Sequence, residues 1–227
     1  MRRALDLGLP ILGIAGLLVG GVLGLTVAPA DRDMGDVYRI MYVHVPAAWT
    51  SLLAVTVTFV ASLVYLFKNS WKADALAESS AEVGVYFGAL LIVLGSIWAR
   101  PTWGVWWDWD PRLTTAAIML FAFAGYLALR RFVDDPERRA TWAAVAAIIA
   151  YVDVPILWFS VRWWRSLHQV QNTTGSTASI FTKSLLFNAI AFFLLYVWFV
   201  RLRYRVAEHH QQEELAEPPP VEPTAAR

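Results

Sequence analysis

Apolar residues do not alternate along this chain; they come in blocks. Six predominantly apolar runs cover 7–27, 45–67, 83–99, 113–129, 141–159 and 184–200, and most charged residues fall in the gaps between them. At 1.5 Å of rise per residue, each run as a helix crosses a hydrocarbon layer of roughly 30 Å with little help from its flanks. The pattern predicts an all-α fold, a polytopic membrane protein with a six-helix bundle. Almost no sequence is left for a soluble domain, so residues 1–205 are assigned to one membrane domain.

Composition sharpens this picture. Charged residues are 16% of the chain and the mean hydropathy is +0.48, whereas soluble domains carry about a quarter charged residues. The first run follows Arg2 and Arg3 and precedes Ala28-Pro29-Ala30, as in a cleaved leader, but it is longer than a leader's apolar core and is expected to be a retained span. The acidic, proline-rich end from 206 to 227 is expected to be a disordered tail, with His209 and His210 as solvated tail residues. Cysteine is absent, which excludes disulfides, thiolate metal sites and haem attachment through Cys-x-x-Cys-His.

Charge sets the expected orientation. Of the 19 Lys and Arg residues, 12 lie at the N-terminus, in the second and fourth connections and in the tail; seven lie in the other three connections. The positive-inside rule then puts both termini in the cytoplasm and the connections around 31–44, 100–112 and 161–183 outside. Inside the spans, Gly16, Gly20 and Gly24 form a small-residue ridge suited to helix packing within the bundle. Asp153, followed by Pro155, is expected to brace a kinked helix.

The candidate chemistry is all on the outer side. WGVWWDWDPRLT (103–114) carries four tryptophans within seven residues, more than an interfacial aromatic belt requires. Trp103, Trp106, Trp107 and Asp110 stand at helical spacings, so a short surface helix would align them as an aromatic platform, with Asp108 and Trp109 directed elsewhere. Asp110-Pro111 reads as an N-cap and first helical residue. Arg100 and Arg112 are candidate partners for carboxylates on a ligand's edge. His44, in YVHVPAAW, and His168, in SVRWWRSLHQ, are placed on the same face. Paired imidazoles suit the axial positions of haem iron, and nothing supplies the further ligands typical of zinc.

The tryptophan stretch resembles the WWD signature of haem-handling membrane proteins in cytochrome c biogenesis. With HVPAAW, FSVRWWRSLHQ and the six-span outline, it is similar to one branch, the cytochrome c maturation protein C (haem exporter protein C) family. The resemblance implies that His44 and His168 are axial ligands of haem b. It implies that Trp103, Trp106, Trp107, Asp108, Trp109 and Asp110 form a loop that meets haem and a haem chaperone. It also implies a bacterial inner membrane, haem presented at the periplasmic face, and partners comprising the membrane-anchored chaperone, an ABC transporter ATPase, a second permease and a small single-span subunit. Such a protein is not an enzyme in the usual sense, though it scaffolds covalent haem attachment to the chaperone. Two positions depart from the family's pattern: an amide is expected at Asp153, and asparagine-threonine at Arg165-Ser166. The alternative from the residues themselves is a membrane b-type cytochrome exchanging electrons with a quinone.

Overall fold

The computed structural model describes residues 2–28, 30–31, 34–168 and 179–216. These form α1 (Arg2–Val22), continued by a π-helical turn (Leu23–Val27), a 3-10 turn (Asp36–Ile40), α2 (Met41–Lys68), α3 (Trp71–Trp103), α4 (Pro111–Phe132), α5 (Pro136–Tyr151), α6 (Asp153–Trp163) and α7 (Ser179–Ala216). Among the described residues six helical segments are long and apolar enough to cross a membrane, with α5 and α6 together making one of them. The all-α, six-span expectation holds.

Local chemistry fixes the boundaries. The Asp110 carboxylate accepts from the backbone N–H of Arg112 at 2.9 Å and of Leu113 at 3.4 Å, and Pro111 opens α4 with its fixed φ. Asp135-Pro136 repeats the device at α5, accepting from the N–H of Arg138 at 2.7 Å. α3 ends where Gly104 takes φ +82°, a left-handed turn that glycine enters without a Cβ penalty.

Small residues let the helices approach closely, as expected where lipid supplies no hydrophobic drive between them. α5 buries Ala140, Ala143, Ala144 and Ala147 on its inner side and packs on α2 and α4. The glycine ridge of α1 packs within the chain: a Cβ on Gly16 would lie 2.8 Å from that of Ala191 in α7, and one on Gly20 only 1.7 Å from Asn188 Oδ1. Tyr151 closes α5 against α2, stacking on Phe59 at 4.2 Å between centroids and reaching Thr56 Oγ1 at 3.1 Å. The helix then breaks at Val152, and Pro155 stands in the first turn of α6. Asp153 lies at this break with Oδ2 buried and unpartnered, so hydrogen-bonded bracing by that oxygen is not found among the described residues.

At the end remote from the histidines, Arg130 donates to both carboxylate oxygens of Asp74 at 2.7 and 2.8 Å and to Glu78 at 2.9 Å. Gln211 adds a bond to Asp74 at 2.6 Å. This contact corrects the expected tail: α7 runs unbroken to Ala216, so 206–216 is helix rather than disordered chain. His209 stays exposed beside Glu213, as expected of a solvated residue. Residues 217–227 lie outside the described residues.

Candidate functional site

α2, α3, α4 and α6 surround a cavity of about 150 Å³ at one end of the bundle. His44 and His168 both line it, 124 positions apart in sequence. His44 is carried on the first turn of α2, which begins three residues before it, so this histidine lies inside a helix and not ahead of one. Its ring is pressed against α3 at Gly95, where a Cβ would come within 3.1 Å of His44 Cε1. Glycine there is a matter of space.

His168 is carried on the chain after α6, and Asp110 holds that chain in place. Asp110 Oδ2 accepts from the backbone N–H of Leu167 at 2.7 Å, and Oδ1 lies 3.9 Å from His168 Nδ1. Ser166 donates to Asp110 and accepts from the N–H of His168 at 3.1 Å. A threonine hydroxyl would serve equally, which accounts for one of the two departures in that segment. Burial raises the Asp110 pKa, but the bonds from Ser166, Leu167 and Arg112 outweigh it and hold the carboxyl below its usual range. Burial first, then the positive charge of Arg112, lowers His168 to about 4, with Asp110 opposing. The imidazole is therefore neutral at pH 7, the form that binds a metal. Residues 169–178, the rest of this connection, lie outside the described residues.

The tryptophans divide in a way the spacing argument did not anticipate. No short helix forms, because Gly104 ends α3 and 104–110 follow an irregular path. Trp103 is the last residue of α3 and meets the His168 ring edge-on at 5.0 Å; Trp107 also lines the cavity. Trp106 and Trp109 are exposed at 59% and 76%, and Asp108 is exposed as well. Trp98, not singled out from the sequence, completes the enclosure, 4.9 Å from Trp103 and 6.4 Å from His168 between ring centroids. Its only advance sign was a position one and a half turns before Trp103.

The arginines separate too. Arg112 lines the cavity, and among the described residues it has no acidic partner within ion-pair distance. Arg100 does not line the cavity; its guanidinium donates to the carbonyl of Gly104 and closes the end of α3. Of the two, only Arg112 is placed to meet an acid in the site.

Both histidine Nδ1 atoms are buried without a hydrogen-bond partner among the described residues. Two imidazoles with unpartnered Nδ1 atoms, a guanidinium without an acidic partner among the described residues and indole walls fit haem: nitrogen donors for iron, a cation for its carboxylates, and apolar rings for its plane. The volume is below the roughly 300–1,000 Å³ of clefts that enclose drug-sized ligands.

These features define a class: a polytopic helical membrane protein with a tryptophan-lined, two-histidine cavity at one end of its bundle. A model of the family described as Heme exporter protein C matches residues 4–217. The chain is similar to Heme exporter protein C of Bradyrhizobium diazoefficiens, 41% identical over 185 residues, 80% of this chain and 70% of that one. It is also similar to those of Haemophilus influenzae, 38% identical over 192 residues (83% and 78%), and Escherichia coli K12, 38% over 161 residues (71% and 66%). The chain belongs to the Heme exporter protein C family.

Proposed function

We propose that this protein handles haem b for the maturation of c-type cytochromes, as a multi-pass protein of a bacterial inner membrane with both termini in the cytoplasm. Haem is held at the periplasmic face between His44 and His168, with Arg112 meeting its propionates, and is passed to a membrane-anchored haem chaperone. The observation that carries this reading is the convergence of two imidazoles, one from a helix and one from a loop, whose buried Nδ1 atoms have no partner among the described residues, beside an arginine with no acidic partner among them. Membership of a family named for haem export supports it. The exposed Trp106, Asp108 and Trp109 supply a face for the chaperone at the rim of the same site.

The chain makes no bond itself in this scheme. It holds haem while the chaperone's own group becomes attached, within an assembly that includes an ABC transporter ATPase, a second permease and a small single-span subunit. The absorption spectrum of the purified protein, alone and with the chaperone, tests the proposal. His44→Ala and His168→Ala should each alter iron ligation or lose the pigment, and chaperone should deplete haem from the wild type. Unchanged spectra in both variants would remove the axial assignment. Reversible electron exchange with a quinol, independent of any chaperone, would favour the cytochrome alternative instead.

A further inference from the structure

We propose that the seam between α2 and α6 is a side door through which haem enters the cavity from the membrane leaflet at the histidine end. This rests on the haem reading above. The cavity is not confined to the surface. It reaches Leu52, eight residues beyond His44 on α2, and Met119, seven beyond Arg112 on α4, which are depths of about 12 and about 10 Å along the helices. Its charged and imidazole groups, Arg112, His44 and His168, lie at the mouth, while Leu52, Met119 and Leu157 line the deep part.

The walls are closed on three sides. α2 packs on α3, α3 on α4, and α4 on α6, but α6 makes no extended contact with α2. The cause is the break at Val152. Up to Tyr151 the chain is fastened to α2 through Phe59 and Thr56; beyond it, α6 departs and packs on α4. Trp49 of α2 and Trp158 of α6 flank the resulting gap. Both line the cavity and keep 42% and 52% of their surface exposed. Each lies five residues, or about 7.5 Å along its helix, inward of His44 and Trp163 respectively, within a segment that crosses the membrane.

The polarity of this gap selects its occupant. A flat apolar ring with acids on one edge rests in a leaflet with the acids at headgroup level and the ring among the acyl chains. Sliding sideways, it arrives with its acids at the level of Arg112 and its apolar body between the two indoles. It need not turn over or enter water. An acyl chain resting in the seam would leave the door unused.

The chain has no cysteine, so Trp49→Cys with Trp158→Cys introduces a single reactive pair. In proteoliposomes, a reducible bifunctional thiol reagent should bridge it, and haem is then supplied from haem-loaded donor vesicles. The expected result is uptake slowed at least tenfold by bridging and restored by reduction, with haem loaded beforehand retaining its spectrum. Uptake at the unbridged rate overturns the door, as does equal slowing in the treated single-cysteine variants. If the double variant fails to assemble, Trp158→Ala widens the same gap: faster uptake from vesicles supports the door, and an unchanged rate overturns it. A wild-type protein with no haem spectrum under any mode of supply overturns the haem reading itself; a normal spectrum with a bridging-insensitive rate overturns the door alone.

Discussion

Asp110 carries two tasks at once, and they can be separated by substitution. One carboxylate oxygen caps α4 and the other holds the His168 segment through the N–H of Leu167. Loss of an N-cap costs about 1 kcal/mol. A hydrogen bond to a charged group is worth about 1.5–3 kcal/mol, and at 2% exposure the Asp110 side chain is not diluted by solvent. Serine is as good a cap as aspartate, but its single short hydroxyl cannot also reach Leu167. Asp110→Ser should therefore keep the thermal stability of α4 near wild type while freeing the His168 segment. Haem affinity should fall by roughly 10- to 100-fold at 1.4 kcal/mol per decade, with a spectrum showing loss of one imidazole. Asp110→Ala should lose both stability and affinity. The assay is haem titration by absorbance alongside thermal unfolding of the haem-free protein. Wild-type affinity and spectrum in Asp110→Ser would refute the tether, because the cap alone would then explain the residue.

Further outcomes follow from neighbouring geometry. Gly95→Ala should displace the His44 ring, whose Cε1 would stand 3.1 Å from the new Cβ, weakening haem binding several-fold; Gly21→Ala, with nothing within 4 Å, should bind normally. Because His168 is held at about 4, its imidazole is neutral at pH 5.5, where an unshifted histidine would be about nine-tenths protonated. Haem binding should hold between pH 8 and 5.5, and a tenfold loss over that range contradicts the shift. In the haem-free protein the same depressed pKa favours folding fully above pH 6.5 and loses that contribution as pH falls toward 4, which acid unfolding monitored by circular dichroism reads out. Arg130→Ala leaves the buried Asp74 without its charged partner, with Gln211 still bonded to it, and should cost about 3–5 kcal/mol, measured by thermal unfolding in detergent, without changing the haem spectrum.

The spans were legible because apolar runs this long have one stable use, and the caps Asp110-Pro111 and Asp135-Pro136 stand in the sequence as local chemistry. The imidazole pair was legible once charge counting placed both on one face. The aligned aromatic platform was not there: helical spacing was applied across Gly104, a residue that stops a helix, and so Trp106 was grouped with rings it does not join. Gly95 and Trp98 act only through helices brought together by folding, and nothing local marks them. The helix over 206–216 was hidden for the same reason, since its anchor at Gln211 finds Asp74 only in the assembled bundle.

The two imidazoles differ in how they are mounted. His44 is part of a 28-residue helix and is backed by α3, whereas among the described residues His168 is held on its loop by the carboxylate of Asp110 and the hydroxyl of Ser166. One side of the site is an anvil and the other a latch. A haem held as proposed would leave by lifting the weaker side, for the cost of a few hydrogen bonds and without unpacking the bundle. On the proposed reading the unequal mounting would give release a direction: a recipient would need only to compete at the face where the grip is cheapest to undo.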